Sequence, residues 1–542
     1  MADGEGCDAG RKVKERYSVT LPERMSRQAS LLALILDQAA KCPYYHGKVA
    51  KDASLDKLST VPVLHYPSVK EAADRDGWAK VLGAKPDFIF ETSGSTGDAK
   101  RIPYTVSDID RVADDYALLM HIIGLRHTDV GWDFGGAYPL ISGEVMERTI
   151  AKIPLDRSLA TLLKSDTDLV KSLKKASKLP KLDAMAGAAL LYYIIARMCN
   201  DREYLPGVVR GKLERSYHLP RPLASLATRL FLLGLDADRL RKLSSEVRLG
   251  ISYAEPLTAY REELCKAYPS IRMVDVYGST ENPIIAAQLD PKNDGLFLFV
   301  DSFIAELARP DDVHPSTYGK GMEVSAVPWW NWTKGQRGEL LITRPGECLP
   351  LLRYATGDMV EVLDPDHEVT VDLYGETVSF RLPLIKVLGR SVDSLDYEVQ
   401  DESGHFLGNK VYSRHINDAL QGAQNVRWWE LYVVKGEPGR LIFVVIPEKT
   451  PADPPGFRRQ LMHRLMKECD DPLHTIQVGE ELGFFDLYIA PPEAYSTIQN
   501  EIDKRMREGR SIGQLKPKRI RPITEQELSA ALRQRSLSPE GP

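Results

Sequence analysis

The sequence predicts an α/β fold in which a large N-terminal domain is followed by a smaller α+β C-terminal domain. From about residue 85 onward, short apolar runs alternate with longer amphipathic ones, which is typical of strands alternating with helices. After about residue 335 the pattern changes, and strand-like runs separated by turns predominate. The chain has 542 residues, of which 43% are hydrophobic, and this is enough apolar material for several buried cores.

The first elements follow from apolar spacing. Residues 1–30 are polar and are expected to form a partly mobile segment, whereas Leu31–Cys42 has helical spacing and ends before Pro43. We predict strands at Phe88–Phe90, Val247–Ser252 and Met273–Val276, and helices at Val106–Ile123, Leu182–Met198 and Leu257–Tyr268.

The predicted N-terminal domain covers residues 31–388 and ends at a hinge, Gly389–Asp393. Residues 394–542 form the predicted C-terminal domain. Strands are predicted on both sides of this boundary, at Gly338–Thr343, Met359–Leu363, Leu384–Leu388, Trp429–Val434 and Leu441–Ile446, with a helix at Phe457–Lys467.

Charge and composition exclude several classes of protein. The net charge of −5 gives no electrostatic reason to expect a nucleic-acid partner. The six cysteines are scattered, without the spacing of a zinc site or a disulfide scaffold. Neither a signal peptide nor an apolar segment of the roughly 20 residues that span a bilayer is present in the sequence. We therefore expect a cytoplasmic protein with reduced thiols and no membrane partner.

The most informative motif is the run Thr92–Lys100, which directly follows a predicted strand. It contains four hydroxyl side chains, two glycines and a lysine. Glycines allow backbone N–H groups to turn towards an anion, and the lysine adds positive charge, so the loop suits a polyphosphate. It is not a Walker A loop, because the spacing differs. Taken alone, a flexible surface loop is an equally good interpretation.

Two further motifs place carboxylates at predicted turns. Tyr277–Glu281 follows a strand and combines a glycine, two hydroxyls and a carboxylate, a set that suits phosphate and Mg²⁺. Arg353–Asp358 ends in an aspartate that could accept hydrogen bonds from a ribose diol. Gly389–Asp393 and the basic run Gly513–Arg519 come later in the chain. Taken alone, the motifs 277–281 and 353–358 are better explained as turns, and the run 513–519 as an ordinary basic tail.

Taken in this order, the motifs resemble those of the adenylate-forming superfamily of acyl-CoA synthetases, peptide-synthetase adenylation domains and luciferases. The resemblance extends from about residue 30 to the end of the chain. It implies a large N-terminal adenylate-forming domain with mixed β-sheets and flanking helices, and a smaller C-terminal domain. It also implies that ATP and Mg²⁺ are the cofactors and that a small carboxylic acid is the substrate.

The resemblance assigns roles to individual residues. Thr280 contacts the α-phosphate, Glu281 holds Mg²⁺, Asp358 binds the ribose with Arg390 nearby, and Lys516 reaches the α-phosphate and the acid in the first half-reaction. The ATP-binding segments are the phosphate loop of Thr92, Ser93, Gly94, Ser95, Thr96, Gly97 and Lys100, the adenine segment of Ala254, Glu255 and Pro256, and the motif residues Tyr277, Gly278 and Ser279.

Two subfamilies remain as alternatives. The N-terminal part is similar to phenylacetate-CoA ligases, whereas the phosphate loop with its extension 102–105 and the run 513–519 resemble the acyl-acid amido synthetases of the Gretchen Hagen family. The sequence departs from these patterns at Ala254, where the family has glycine, at Val392 in the hinge, and at Pro517, which lies one position early.

The resemblance implies a ligase that activates an acid as acyl-AMP and transfers it to an amine. Transfer to coenzyme A is the alternative, and an inactive nucleotide-binding scaffold is the third possibility. His121, Trp132, Phe134 and Tyr138 are candidates for the acid pocket, although core packing is the better explanation for each of them. The cluster Trp329, Trp330 and Trp332 is expected to be a packed loop.

Overall fold

The structure is a computed structural model that describes residues 2–49, 54–92, 99–153, 155–163, 166–253, 261–290, 293, 295–309, 324–390, 395–400, 406–411, 416–421, 423–434, 440–468, 485–498, 500–501 and 519–537. Its helices are Ala2–Tyr17 (α1), Leu21–Lys41 (α2), Tyr66–Asp76 (α3), Val106–Ile122 (α4), Ile141–Lys152 (α5), Asp166–Ala176 (α6), Ala189–Asn200 (α7), Tyr204–Ser216 (α8), Arg221–Leu232 (α9), Ala237–Glu246 (α10), Arg261–Ala267 (α11), Pro454–Glu468 (α12) and Glu525–Gln534 (α13).

Strands alternate with these helices, as the sequence predicts. They are Phe88–Glu91 (β1), Arg101–Tyr104 (β2), Val130–Asp133 (β3), Arg157–Ala160 (β4), Ala184–Ala188 (β5), Leu249–Tyr253 (β6), Arg272–Tyr277 (β7), Ala286–Ala287 (β8), Leu296–Leu298 (β9), Ile304–Ala308 (β10), Ala326–Pro328 (β11), Arg337–Arg344 (β12), Leu351–Leu373 (β13), Glu376–Arg390 (β14), Leu395–Gln400 (β15), Phe406–Val411 (β16), Val426–Val434 (β17), Arg440–Pro447 (β18), Phe485–Ile489 (β19) and Ile520–Ile523 (β20).

A mixed sheet of twelve strands organises the N-terminal part, in the order β11-β10-β12-β13-β14-β9-β8-β7-β6-β5-β3-β4. The strands β4, β3, β5, β6 and β7 pair in parallel, whereas the remaining pairs are antiparallel. Because parallel strands bring their carboxyl ends to one edge, β3, β5, β6 and β7 all end at the same edge of the sheet. The predicted α/β class with mixed sheets and flanking helices is confirmed.

The N-terminal segment differs from the prediction of a loose polar stretch. Two helices occupy residues 2–41, and α2 begins at Leu21, ten residues before the predicted start. The capping box of Thr20 and Glu23 fixes this start. Arg24 is 4% exposed and donates hydrogen bonds to the backbone oxygens of Tyr17 and Arg381. A polar residue of this N-terminal segment can therefore be buried when it has hydrogen-bond partners in the interior. For this reason, the polarity of residues 1–30 wrongly predicted a loose segment.

The predicted helix Leu182–Met198 is wrong in its first part, because residues 184–188 form the central strand β5 and the helix α7 begins only at Ala189. Four of the five residues of the strand are alanine or glycine, which allows close approach from the next layer. A Cβ atom added to Gly187 would lie 2.0 Å from a ring carbon of Phe134. A short apolar run cannot be assigned to strand or helix by periodicity alone, and packing decides here in favour of the strand.

A long hairpin of β13 and β14 contains two of the predicted strands, Met359–Leu363 and Leu384–Leu388. The two strands are joined at Tyr374 and Gly375, whose φ angles are +58° and +88°. Positive φ at both central residues is the signature of a type I′ turn, whose twist matches that of the flanking strands. Asp358 therefore lies within a continuous strand, and not on the hairpin turn that the sequence suggested.

The C-terminal part contains a separate four-stranded sheet in the order β19-β18-β17-β20. Helix α12 packs Leu461 and Leu465 into one apolar cluster with this sheet, and α13 packs Leu528 and Leu532 into another. An ion pair between Glu430 and Arg535 is buried beside the second cluster. The predicted α+β character of this part is confirmed.

The tryptophan cluster is a packed loop, as predicted. Trp329 and Trp332 are each 4% exposed, and their indole N–H groups donate to Gln28 Oε1 and to the Val327 backbone oxygen. Gln28 connects this loop to α2, so the cluster anchors the N-terminal helices to the main sheet. Among the helices that the structure describes, none combines the length and apolarity needed to cross a bilayer.

Candidate active site

Three side chains from three different sequence motifs meet at one point. Lys100 Nζ lies 2.7 Å from Glu281 Oε1 and 2.9 Å from the Tyr354 hydroxyl. The Tyr354 hydroxyl donates to the same carboxylate oxygen at 2.5 Å. Lys100 is the last residue of the phosphate loop, Glu281 ends the second motif, and Tyr354 belongs to the third. The structure therefore brings together motifs that are separated by more than 250 residues in the chain.

The Glu281 carboxylate of this cluster is ionised at neutral pH. Glu281 is 3% exposed, and burial by itself raises its pKa. The charge of Lys100 and the hydrogen bonds from Lys100 and Tyr354 outweigh burial, and together they lower the pKa of Glu281 to about 2. The Lys100 side chain is 25% exposed, so its ammonium group remains accessible from the site. The cluster thus presents a fixed anion and an accessible cation side by side.

Two side chains, Tyr104 and Arg344, donate hydrogen bonds to the backbone of the second motif. The Tyr104 hydroxyl donates to the backbone oxygen of Thr280 at 2.8 Å, and Arg344 Nε donates to the backbone oxygen of Glu281 at 2.5 Å. The Arg344 guanidinium lies 4.9 Å from the centre of the Tyr104 ring. These contacts fix the position of the half-buried Thr280 and of Glu281 before any ligand binds.

The turn that carries the motif requires its glycine. A Cβ atom on Gly278 would lie 1.9 Å from the backbone oxygen of Pro283, so any larger residue would displace the turn. The Ser279 N–H donates to the backbone oxygen of Asn282, and Ser279 Oγ accepts from the Asn282 N–H. The Tyr116 hydroxyl of α4 donates to the same Pro283 oxygen at 3.0 Å. The motif is therefore a rigid turn at the carboxyl end of β7.

Asp358 lies beside this turn. The Tyr277 hydroxyl donates to Asp358 Oδ2 at 2.7 Å, which connects the second motif to the third. Gly357 has a φ of +77° and donates its N–H to Glu339 Oε1, and the Asp358 N–H donates to Thr356 Oγ1. Asp358 is 7% exposed. A carboxylate fixed in this way can accept hydrogen bonds from a diol without first reorganising.

The phosphate loop is closed at its base. The Thr92 N–H donates to the Lys100 backbone oxygen, and the Lys100 N–H donates to Thr92 Oγ1 at 2.9 Å. Strands β1 and β2 extend this closure as an antiparallel pair. The side chain of Arg390 lies outside the described residues, although the backbone of this β14 residue pairs with Asp358 of β13. The other predicted ligands outside the described residues are Ser93, Gly94, Ser95, Thr96, Gly97, Ala254, Glu255, Pro256 and Lys516.

Three residues of the site had no role predicted from the sequence. Tyr354 and Tyr104 fall inside quoted motifs, but nothing in their spacing indicates that their hydroxyls contact residues 280 and 281. Arg344 lies outside every motif, and only its position at the end of β12 gives it a role. In the described part of the chain, no group of three metal-ligating side chains gathers in one place.

The four candidates for the acid pocket separate into core and surface residues. Trp132 and Phe134 are almost completely buried and pack edge to face at 5.1 Å, so both belong to the core. His121 Nδ1 is hydrogen-bonded to the Tyr374 hydroxyl. Tyr138 is 60% exposed, and its ring lies 6.0 Å from that of Phe90, the strand residue before the phosphate loop. Of the four, Tyr138 alone is both exposed and next to the loop.

Asp133, at the carboxyl end of β3, is a buried carboxylate without a side-chain partner among the described residues. Burial raises its pKa to about 8, and the N–H of Gly135 offsets this only in part. The folded protein therefore holds a proton on Asp133 between about pH 4 and pH 8, whereas the unfolded chain does not. Consequently this group makes the protein less stable as the pH rises through that window.

We expect Asp133→Asn to remove this dependence, because the amide keeps the shape and carries no charge. The variant should gain stability relative to the unsubstituted protein by up to about 1.4 kcal/mol per pH unit as the pH rises towards 8. Urea unfolding of both proteins at several pH values measures the difference. Parallel stability curves would show that Asp133 is not protonated in the folded state.

Comparison with known proteins shows which folds this chain resembles. The chain matches no protein-family profile. It is 28% identical over 156 residues to a phenylacetate-coenzyme A ligase from Aromatoleum evansii, a match that covers 28% of this chain and 29% of that protein. The match thus spans less than a third of that relative's length.

Solved structures are similar over nearly the whole chain. A 2-hydroxyisobutyryl-CoA ligase in the postadenylation state, in complex with R3-HIB-AMP, has a TM-score of 0.63 at 16% identity and covers 96% of this chain and 93% of its own. The GH3.15 acyl acid amido synthetase has a TM-score of 0.59 at 14% identity, with coverages of 95% and 94%. The fold that the sequence resemblance predicts, that of AMP-forming acyl ligases, is confirmed.

Proposed function

We propose that this protein is an ATP-dependent, AMP-forming ligase that activates a carboxylic acid as an acyl adenylate and then transfers the acyl group to an amine. The observation that carries the proposal is the contact of Lys100, Glu281 and Tyr354. Three motifs in the order typical of adenylate-forming enzymes supply these side chains. Asp358 is connected to the second motif by the hydrogen bond that it accepts from the Tyr277 hydroxyl.

The first half-reaction joins two anions. A carboxylate oxygen of the acid attacks the α-phosphorus of ATP, a new P–O bond forms, and the bond to pyrophosphate breaks. Charge develops on the phosphate oxygens, so fixed cations contribute most of the stabilisation of the transition state. We assign this role to Lys100 and Lys516, place the α-phosphate at Thr280, and place the ribose diol at Asp358.

Glu281 is suited to act as a magnesium ligand. Mg²⁺ prefers hard oxygen ligands and usually takes one or two carboxylates together with substrate phosphates. A buried carboxylate with a pKa of about 2 supplies such an oxygen at every physiological pH. Mg²⁺ bound there would add positive charge beside the phosphates. The Lys100 ammonium group, which contacts Glu281, would then turn towards the β- and γ-phosphates.

An amine as the acceptor is favoured by the C-terminal part of the sequence. The segment 391–542 is long, and the run 513–519 resembles the signature of the amido synthetases. The similarity to the GH3.15 acyl acid amido synthetase extends over 95% of this chain. In the second half-reaction the amine nitrogen would attack the acyl carbonyl carbon, and the bond to AMP would break.

Coenzyme A is the second candidate acceptor. It is supported by the sequence similarity to a phenylacetate-coenzyme A ligase and by the structural similarity to a 2-hydroxyisobutyryl-CoA ligase. Both acceptors use the same acyl adenylate, so the residues that bind ATP do not distinguish between them.

One assay series tests the proposal and its alternatives. Purified protein is incubated with ATP, Mg²⁺ and a panel of aromatic and aliphatic acids, and the release of pyrophosphate and AMP is measured. Amino acids or coenzyme A are then added, and the products are identified by mass spectrometry. Acid-dependent release followed by amide formation supports the proposal. A thioester without an amide would replace it with the second candidate, and no release with any acid would favour an inactive scaffold.

We expect Lys516→Ala to lower adenylation by about 10²-fold or more, because the variant loses one charge partner of the transition state. Acyl transfer from a supplied acyl adenylate to the acceptor should be much less affected, since that step does not build charge on the α-phosphate in the same way. Lys518→Ala, two residues further along, is the matched control. Unchanged adenylation in Lys516→Ala would show that this lysine does not reach the reaction.

A further inference from the structure

The hairpin of helices α8 and α9 exposes an unusual amount of apolar surface. Half of the twelve large hydrophobic side chains that are exposed in the described part of the chain lie between Val208 and Leu233. They include four leucines, Leu223, Leu226, Leu230 and Leu233, which are 54%, 56%, 64% and 74% exposed. Isolated exposed leucines are common, but a contiguous group marks a surface that contacts something else.

The helix α9 buries small residues and exposes large apolar ones. Its buried face consists of the small residues Ala224 and Thr228, and the Thr228 hydroxyl is bonded back to the Ala224 backbone oxygen. Leu223, Leu226 and Leu230 follow at intervals of three and four residues, which places them in one stripe along the outward side. Leu223, Leu226 and Leu230 therefore face away from the protein's own core, whereas Leu232 at the end of the helix packs partly against it.

The charge of the hairpin differs from that of the whole chain. Between residues 204 and 235 the sequence carries the basic residues Arg210, Lys212, Arg215, Arg221 and Arg229 and a single acidic residue, Glu214, whereas the complete chain has a net charge of −5. Arg221 and Arg229 are exposed, and both belong to the same helix as the leucines. The apolar stripe is thus accompanied by exposed positive charge.

We propose that α9 lies flat on an anionic lipid surface, with its leucine stripe among the acyl chains and its arginines at the headgroups. A helix with an apolar stripe beside basic residues is suited to this position. A second copy of the chain would bring the arginines of two such hairpins together, so the charge favours a lipid surface over self-association. This proposal differs from the prediction of no membrane partner. That prediction depended on the lack of a segment that spans a bilayer, and a helix that lies on the surface needs no such segment.

Vesicle flotation tests this proposal with the full-length protein. Vesicles of phosphatidylcholine alone are compared with vesicles that also contain phosphatidylglycerol, at low and at high salt. We expect binding to the anionic vesicles, with weaker binding at high salt because the arginine contribution is screened. The double variant Leu226→Glu, Leu230→Glu should bind at least about ten-fold more weakly, since two apolar anchors are lost.

The matched control is Leu21→Glu, Leu34→Glu, which changes two exposed leucines of α2 and should bind as the unsubstituted protein does. The circular dichroism spectrum of each variant establishes that it is folded. Failure of the unsubstituted protein to bind anionic vesicles overturns the proposal, and so does equal binding by both double variants. Concentration-dependent dimerisation that Leu226→Glu, Leu230→Glu abolishes, without vesicle binding, would assign the face to a second copy instead.

Discussion

The Glu281→Gln variant is expected to release pyrophosphate about 10²–10³-fold more slowly than the unsubstituted protein, the scale of losing one fixed electrostatic partner of the transition state. Glutamine has nearly the same shape, so its amide oxygen can still accept hydrogen bonds from Lys100 and Tyr354. The negative charge, however, is lost, and with it the proposed magnesium ligand. Initial rates of acid-dependent pyrophosphate release at saturating ATP measure the effect.

Tyr354→Phe is the matched control for that result. It removes the hydrogen bond to Glu281 Oε1 and the one accepted from Lys100, and it leaves the carboxylate and its contact with Lys100 in place. A net hydrogen bond contributes about 1 kcal/mol, so we expect a rate loss of roughly ten-fold or less. Raising the Mg²⁺ concentration should partly restore Glu281→Gln and should not change Tyr354→Phe. If Glu281→Gln keeps its full rate while remaining folded, the carboxylate does not take part in the reaction.

The sequence predicted the parts of this site that depend on local chemistry. The phosphate loop, Glu281 and Asp358 each stand in a motif whose residue types indicate a nucleotide, and their order in the chain indicates that they act together. The contact of Tyr354 with Lys100 depends on how β13 is placed against the phosphate loop, which no local pattern encodes. Arg344 could not be found at all, because it acts by holding a backbone oxygen of residue 281.

The errors in predicting the fold have different physical origins. The early start of α2 was readable, since Thr20 and Glu23 form a capping box, but the polarity of the segment argued against it. The strand β5 was not readable, because an apolar run of five residues has no period that separates strand from helix. Tertiary packing against Phe134 determines its conformation. Patterns that repeat over several turns were predicted well, as for α4 and α12.

Arg353, the residue before Tyr354, has a structural role that its position in the third motif does not indicate. Its side chain is completely buried and pairs with Glu306, which is 3% exposed, at 3.0 Å. The guanidinium also donates to the backbone oxygens of Ser59, Val61 and Val324. Burial raises the pKa of Glu306, and the charge of Arg353 opposes this shift. The arginine thus connects three distant segments to β13.

We expect Arg353→Ala to lower the free energy of unfolding by about 3–5 kcal/mol, because it leaves a carboxylate buried without its partner. Urea unfolding monitored by tryptophan fluorescence measures the loss. The matched control is Arg381→Ala, whose ion pair with Asp366 is exposed on both sides and should contribute no more than about 1 kcal/mol. Equal effects of the two substitutions would contradict the assignment of Arg353 as a buried structural residue.

A double substitution separates the buried charge from the shape of the site. Arg353→Met together with Glu306→Leu removes both charges and keeps most of the volume, so it should be more stable than Arg353→Ala, since no unpaired charge remains. If Arg353 acts only through folding, the folded fraction of either variant should retain Lys100, Glu281 and Tyr354 in contact and release pyrophosphate at nearly the unsubstituted rate. A rate loss that exceeds the loss of folded protein would instead place Arg353 among the residues that position the site.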